Sequence, residues 1–345
     1  MLKKTPEVAV IVLNYNGIHL IDESLGSMLK QNFKNMQLYM ADDASTDNSI
    51  DYVSKKYPNV KIIKGGVNRG TAGVSNFAVN EVKEPYIVLA SNDMFFDKNC
   101  VKELYNTITS KKKAGICTSV LLKHEPFPDG LYHVDNAGFD VDIFGFIEPK
   151  YRDAAQKDLP KKTFETFATC GGCFIIRRDL YLKLGGFDNN FWSLSDDVDL
   201  CWRTRLLGFK NYTNPKSFLL HHMSATLKKE KQGKTRYLSE RNNLTMLLKN
   251  YSGLTLVFLL PLYFITEFME VIFHIFTGKP YLARSVILAI VDNFKKLSNT
   301  LAQRKTIQST RVTPDSQIFR LLRKTSLKFG LALGQFIPNY EISQS

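Results

Sequence analysis

The chain has 345 residues, 44% of them hydrophobic and 23% charged, the make-up of a folded protein with one large domain and an appendage. Five cysteines, an odd number at low density, argue against a disulfide framework and for reduced thiols in a cytoplasmic setting. The net charge of +13 is uneven: from Lys228 onward, 18 Lys and Arg outnumber 7 Asp and Glu, while residues 1–227 are nearly neutral. In the basic part, charge alternates with long apolar runs, so a membrane surface of anionic lipid is the expected partner. No zinc-finger spacing or RNA-recognition motif supports nucleic acid.

Residues 1–7 are short and charged, without the pattern of a signal peptide, which places the first domain on the cytoplasmic side. An apolar run at 8–13 predicts a buried strand, ended by Asn14, Tyr15, Asn16 and Gly17. Helical spacing at 20–30 is followed by a short strand at 37–41 that runs into Asp42 and Asp43. A helix at 49–56, a strand at 60–63 and a helix opened by Asn68, Arg69 and Gly70 come next. A fourth strand at 86–90 ends at Ser91, Asn92 and Asp93. This alternation predicts an α/β fold with a mostly parallel central sheet. Ligands of such sheets sit beyond the carboxyl ends of the strands, where the loops at Asn14, Asp42 and Asp93 all fall.

Further on, 115–122 reads as a strand and the Pro/Gly-rich stretch 125–149 as irregular loops or a hairpin. Cys170, Gly171, Gly172 and Cys173 make a turn feeding a strand; a single CxxC without a second pair predicts packing rather than zinc. A helix at 178–184 is capped by Gly185 and Gly186. A helix at 196–207 carries acids at its N-terminus, and a short strand at 218–220 ends at His221 and His222. The run 254–276 is mostly apolar but interrupted by Pro261, Glu267, Glu270 and His274, which favours an in-plane or re-entrant membrane helix over a full span. Residues 285–301 have mixed helical character.

The most distinctive chemistry lies at Asp196, Asp197 and Asp199, bracketed by Phe191, Trp192 and Trp202. Burial and mutual repulsion raise a carboxylate toward useful base strength. A strand-end acid, Asp93, upstream of such a cluster suggests metal-assisted transfer.

These motifs, in this order, resemble those of the inverting glycosyltransferases of family two, especially the bacterial rhamnosyltransferase-like branch. The matching residues are 10–16, 41–47, 68–70 with Asn76, 91–93, 170–174, 185–188, 196–200, and His221 with His222. The resemblance covers about residues 7–227 and continues weakly into 236–242. It implies the GT-A fold: a nucleotide-binding part at about 1–115, an acceptor-binding part at about 116–227, and 228–345 as a basic, amphipathic helical membrane-associated region. It also implies transfer of a sugar from a nucleoside diphosphate sugar, dTDP-rhamnose first, to a glycan or lipid-linked acceptor, with Mg²⁺ or Mn²⁺. Asp197, beside Asp196, matches the family's base; Asp93 and His221, or His222 in its place, match metal ligands. Asn14, Tyr15, Asp42, Asp43, Asn68, Arg69 and Asn92 fall on the nucleotide side, and Gly171, Gly172 and Trp192 on the donor sugar or acceptor. The first acid of the family's DxD motif is replaced by Ser91. Two alternatives stay open: a hexosyl- or polyprenyl-phosphate sugar transferase, and a catalytically silent nucleotide-sugar-binding or scaffold subunit. The expected location is the cytoplasmic face of the cell membrane, peripheral or monotopic.

Overall fold

The computed structural model describes residues 6–222 and 229–328; the start of the chain and the expected boundary at 227/228 lie outside them. The chain divides into two compact units, Met1–Gly138 with Pro149–Ala225, and Phe139–Glu148 with Thr226–Ser345.

The first unit opens with β1 (Val8–Asn14), α1 (Ile21–Leu29), β2 (Met36–Asp42), α2 (Ser49–Lys56), β3 (Lys61–Lys64), α3 (Gly70–Glu81) and β4 (Tyr86–Ser91), the alternation expected from the apolar runs. β1 reads as an unbroken apolar run because both its faces are buried. Val8, Val10 and Val12 share one core with Leu25 and Met28 of α1. Parallel registry pairs Asn14 with Asp42 and Leu13 with Ser91, so β1, β2 and β4 end on one line.

The unit continues with β5 (Met94–Phe96), α4 (Cys100–Ser110), β6 (Ala114–Lys123) and β7 (Val134–Asn136). After the hairpin of β8 (Phe139–Val141) and β9 (Ile147–Pro149) come β10 (Phe164–Glu165), β11 (Cys173–Arg177), α5 (Arg178–Lys183), α6 (Asp196–Leu206) and β12 (Lys210–His221). The main sheet runs β10-β12-β6-β11-β4-β1-β2-β3, with β5 on β12 and β7 on β6. It is mixed, not mostly parallel: β11 lies antiparallel to both β4 and β6, and β5, β7 and β10 also pair antiparallel. β11 enters the sheet with Cys173 opposite Ala90 near the carboxyl end of β4, which delivers the Gly171–Gly172 turn to the edge where β1, β2 and β4 end.

Two elements exceed what the sequence pattern indicates. α4 buries Val101, Leu104 and Ile108 at helical spacing, a short stripe diluted by the polar residues between them. β12 extends over twelve residues, beyond the expected 218–220. Its register shifts between Asn214 and Phe218, where Pro215 lacks an N–H for the ladder.

The second unit contains α7 (Lys229–Asn250), α8 (Gly253–Phe276), α9 (Pro280–Lys295), α10 (Leu297–Thr310) and α11 (Asp315–Phe319). Residues 139–148 group with these helices in the second unit. Buried Asp142 anchors the hairpin by accepting from the N–H groups of Phe144 (2.9 Å), Phe146 (2.9 Å) and Leu327 (2.8 Å). α8 is 24 residues long, enough by length and composition to cross a membrane. Its polar residues share one face. Glu267 is buried, and the Glu270 and His274 side chains are nearly so. Around them Arg236 pairs with Glu240 at 2.8 Å and with Glu270, while Lys328 meets Glu240 at 3.0 Å and also Glu267 and Glu270. The other face exposes Leu254, Phe258, Leu262, Ile265, Phe268 and Ile275 by more than half.

Lys328→Met would leave Glu240, Glu267 and Glu270 without one of their two cations. The expected cost is roughly 3–5 kcal/mol, read as faster hydrogen exchange through α7 and α8; unchanged exchange would show that the ion cluster is not holding these helices.

Candidate active site

The residues expected on the nucleotide side form two hydrogen-bonded groups. In the first, buried Asn14 donates from Nδ2 to Asp42 Oδ2 (2.9 Å) and Ser45 Oγ (3.2 Å), and its Oδ1 accepts from Asn92 Nδ2 (2.8 Å). Asp42 Oδ1 accepts the Ser45 N–H at 2.9 Å. In the second, buried Asp43 accepts the N–H of Arg69 (2.8 Å) and of Gly70 (2.9 Å), while Asn68 Oδ1 also accepts from Gly70 (3.1 Å). Asp43 thereby satisfies the Gly70 amide that opens α3 and the Arg69 amide before it. Burial raises its carboxyl pKa despite those two bonds. Arg69 folds back, donating to the carbonyls of Gly65 and Val67 and stacking over Phe77. Tyr15 stands apart, 52% exposed at the rim.

Asp93 follows β4, and His221 ends β12. His221 Nε2 lies 3.4 Å from Asp93 Oδ2, and Nδ1 lies 2.8 Å from Asp135 Oδ2. Burial opposes the imidazolium, but the bonds to Asp135 and Asp93 outweigh it and lift His221 to about 9. Asp93 Oδ1 is buried and has no hydrogen-bond partner among the described residues. A spare carboxylate oxygen beside an imidazole oriented by a second carboxylate fits a divalent-cation site. Asp135 carries no sequence signal; β7 brings it in by pairing with β6. His222 turns away: its N–H donates to the Asp93 carbonyl (3.0 Å), but its ring meets Glu23.

Asp197 reaches the same edge through the glycine turn. Its Oδ2 accepts the Gly171 N–H (2.7 Å), and its Oδ1 accepts the Val198 N–H (2.8 Å). One residue on, the Gly172 carbonyl accepts the Ser91 N–H (3.0 Å), and a Cβ on Gly172 would fall 2.7 Å from Met94 Cε. The base candidate and the strand-end acid therefore flank one tight turn. Burial raises the pKa of both Asp196 and Asp197, and the charge of Asp197 raises Asp196 further. Asp199 is spent on an internal pair with Arg203 at 2.9 Å.

The segment ahead of α6 is strained. Trp192, Leu194 and Ser195 all have positive φ, which costs about 1–2 kcal/mol for each such residue. Trp192 (φ 63°, ψ −56°) is the centre of a three-residue turn closed by Ser193 N–H on the Phe191 carbonyl at 2.7 Å. Phe191 is buried, whereas Trp192 is 43% exposed and lies against Gly70. Any Cβ at Gly70, itself at φ +69°, would sit 2.6 Å from the Trp192 carbonyl oxygen.

A sheet of this order, with its loops gathered at one edge, is that of a GT-A-type transferase. A structure of GalNAc-T7 with UDP, GalNAc and Mn²⁺ matches 73% of this chain at TM-score 0.58 and 14% identity, and the match spans about half (49%) of that chain. The mannosyltransferase PcManGT from Pyrobaculum calidifontis, in complex with GDP-Man and Mn²⁺, matches 98% of this chain and 83% of its own at TM-score 0.51 and 15% identity. Residues 9–185 match Glycosyl transferase family 2, and the chain belongs to that family of glycosyltransferases. It is similar to an N-acetylglucosaminyl-diphospho-decaprenol L-rhamnosyltransferase of Mycobacterium tuberculosis, 22% identical over 63% of this chain and 76% of the relative. It is also similar to the O-antigen chain rhamnosyltransferase WbaN of Salmonella anatum, 25% identical over 59% of this chain and 62% of the relative.

Asp135→Asn removes the carboxylate that favours charged His221. Its imidazole pKa, followed by NMR titration, is expected to fall from about 9 toward the ordinary value; an unmoved titration would mean that Asp135 does not set the state of this ring.

Proposed function

We propose that the protein transfers a sugar, with inversion, from a nucleoside diphosphate sugar to a lipid-linked or polysaccharide acceptor at the cytoplasmic face of a membrane. dTDP-rhamnose is the first donor to test, in keeping with the names of the two relatives. The observation that carries the reading is the tight turn with Asp197 bonded to Gly171 on one side and the Ser91–Asp93 strand end bonded to Gly172 on the other.

In this reading the nucleotide lies along Asn14, Tyr15, Asp42, Asp43, Asn68, Arg69 and Asn92. The carboxylate oxygens of Asp42 and Asp43 that already accept one bond have lone pairs left for a base N–H. Asp93 and His221 would hold a divalent ion, Mg²⁺ or Mn²⁺, which when bound offsets the charge that gathers on the leaving diphosphate. Asp197 takes the proton from the acceptor hydroxyl as it attacks the anomeric carbon. Burial makes it a stronger base, and the Gly171 N–H fixes the direction of its carboxylate. Asp196 opposes ionisation of the pair from within α6. Gly171 and Gly172 let backbone approach the sugar, and the exposed ring of Trp192 offers it a flat apolar wall.

The apolar face of α8, extended by Ile287, Val291 and Phe294 on α9, is proposed to lie in the membrane interface. The inward turn of Glu267, Glu270 and His274 supports a helix in the plane over one that crosses. Exposed Lys279, Arg284, Lys295 and Lys305 suit anionic headgroups.

Asp197→Asn should lower turnover by roughly 100- to 10,000-fold while a panel of nucleoside diphosphate sugars still stabilises the fold thermally. Full activity in the variant would reject the base assignment; donor stabilisation without turnover in the unsubstituted protein would favour a silent binding subunit. For the membrane, the full chain should float with anionic vesicles, less so in high salt. Phe258→Glu with Phe268→Glu should weaken binding by about 10-fold or more, and flotation indifferent to both changes would remove the interfacial reading.

A further inference from the structure

The first unit holds a further cluster of side chains of metal-ligating type, outside the Asp93–His221 pair. β6 and β12 run parallel as neighbours, with His221 opposite Lys123. The residues just past the two strands, His222 and His124, are therefore also side by side, and the two imidazoles stack with centroids 3.5 Å apart. Glu23, in the first turn of α1, reaches the same point. Its Oε2 bonds His222 Nε2 and lies 3.7 Å from His124 Nε2. One ligand atom from each of the three residues lies within 4.8 Å of the others. Donors around a tetrahedral zinc ion stand about 3.3 Å apart, given bonds near 2 Å.

A second carboxylate supports the ring from its other side. Glu125 Oε1 lies 3.1 Å from His124 Nδ1, the placement by which an outer carboxylate orients a metal-ligating imidazole. Two imidazole nitrogens and one carboxylate oxygen are the donor set of zinc and its first-row neighbours, while Mg²⁺ and Ca²⁺ prefer oxygen alone. All three side chains are partly exposed, which leaves room for water to complete the shell.

We propose that Glu23, His124 and His222 form a zinc-type site separate from the catalytic cation site. Its place gives it a structural consequence. It ties α1 to the ends of β6 and β12, and the His222 N–H donates to the Asp93 carbonyl, so an ion there steadies the strand-end acid from behind.

The test uses the full chain, stripped with a chelator and titrated with Zn²⁺ against a chromophoric competitor. An Asp93→Asn background with His221→Gln removes the other pair's contribution. One equivalent of Zn²⁺ should bind in that background. Glu23→Gln, His124→Gln and His222→Gln should each weaken it by at least 10- to 100-fold, and Glu125→Gln by about 10-fold. Far-UV spectra unchanged by these surface substitutions would confirm that the fold is kept. Zinc binding lost with Asp93→Asn alone, unaffected by the three substitutions, or matched by Mg²⁺ at equal affinity would overturn the proposal.

Discussion

The side-chain amide of Asn14 joins three neighbouring strand ends. It donates to Asp42 at the end of β2, to Ser45 in the following loop, and accepts from Asn92 beyond β4. β1 lies between β2 and β4, so this one amide reaches both neighbours. The group is buried, where hydrogen bonds are stronger than in water and an unpaired partner costs about 1–3 kcal/mol. An apolar side chain in its place would strand an aspartate and an amide together. The ligand edge therefore has a fixed outline before any ligand arrives.

Carboxylates shape the rest of that edge by accepting backbone N–H groups. Asp43 holds the start of α3, and Asp197 holds the glycine turn ahead of β11. Trp192 then rests on Gly70, with its carbonyl accepting the Ala72 N–H at 3.3 Å. The loop of Asn68, Arg69 and Gly70 and the approach to α6 are thus in direct contact. Asn76 adds a further link, donating to the Phe187 carbonyl and accepting from Tyr181 Oη and the Phe187 N–H. Acids suited to chemistry also support the walls around it, which couples the pKa of each to the exact lie of the backbone.

Much of this was legible in the residue pattern, for stateable reasons. β1 and β4 are apolar runs up to their last residues, and parallel registry guarantees that the polar residues ending β1, β2 and β4 converge. Strand direction leaves no comparable trace: the pattern of β11 is the same whichever way it runs, so the mixed sheet was not readable. Asp135 sits in a three-residue strand within a Pro/Gly-rich stretch and gains meaning only when β7 pairs with β6. In α8 the spacing of Glu267, Glu270 and His274 already marks one helical face. Their partners Arg236, Glu240 and Lys328 come from elsewhere in the chain and could not be read from that helix alone.

The discontinuous make-up of the second unit sets an order of events during synthesis. Every strand of the main sheet has been synthesised once residue 221 is made, yet Asp142 takes its last hydrogen bond from Leu327, 185 residues further on. At ordinary elongation rates the hairpin, with Phe139 and Phe144 destined for burial, waits roughly 10 to 40 seconds for that partner. Through that interval the nascent protein carries an unfinished seam, and a chaperone that shields apolar hairpins would have its opportunity there.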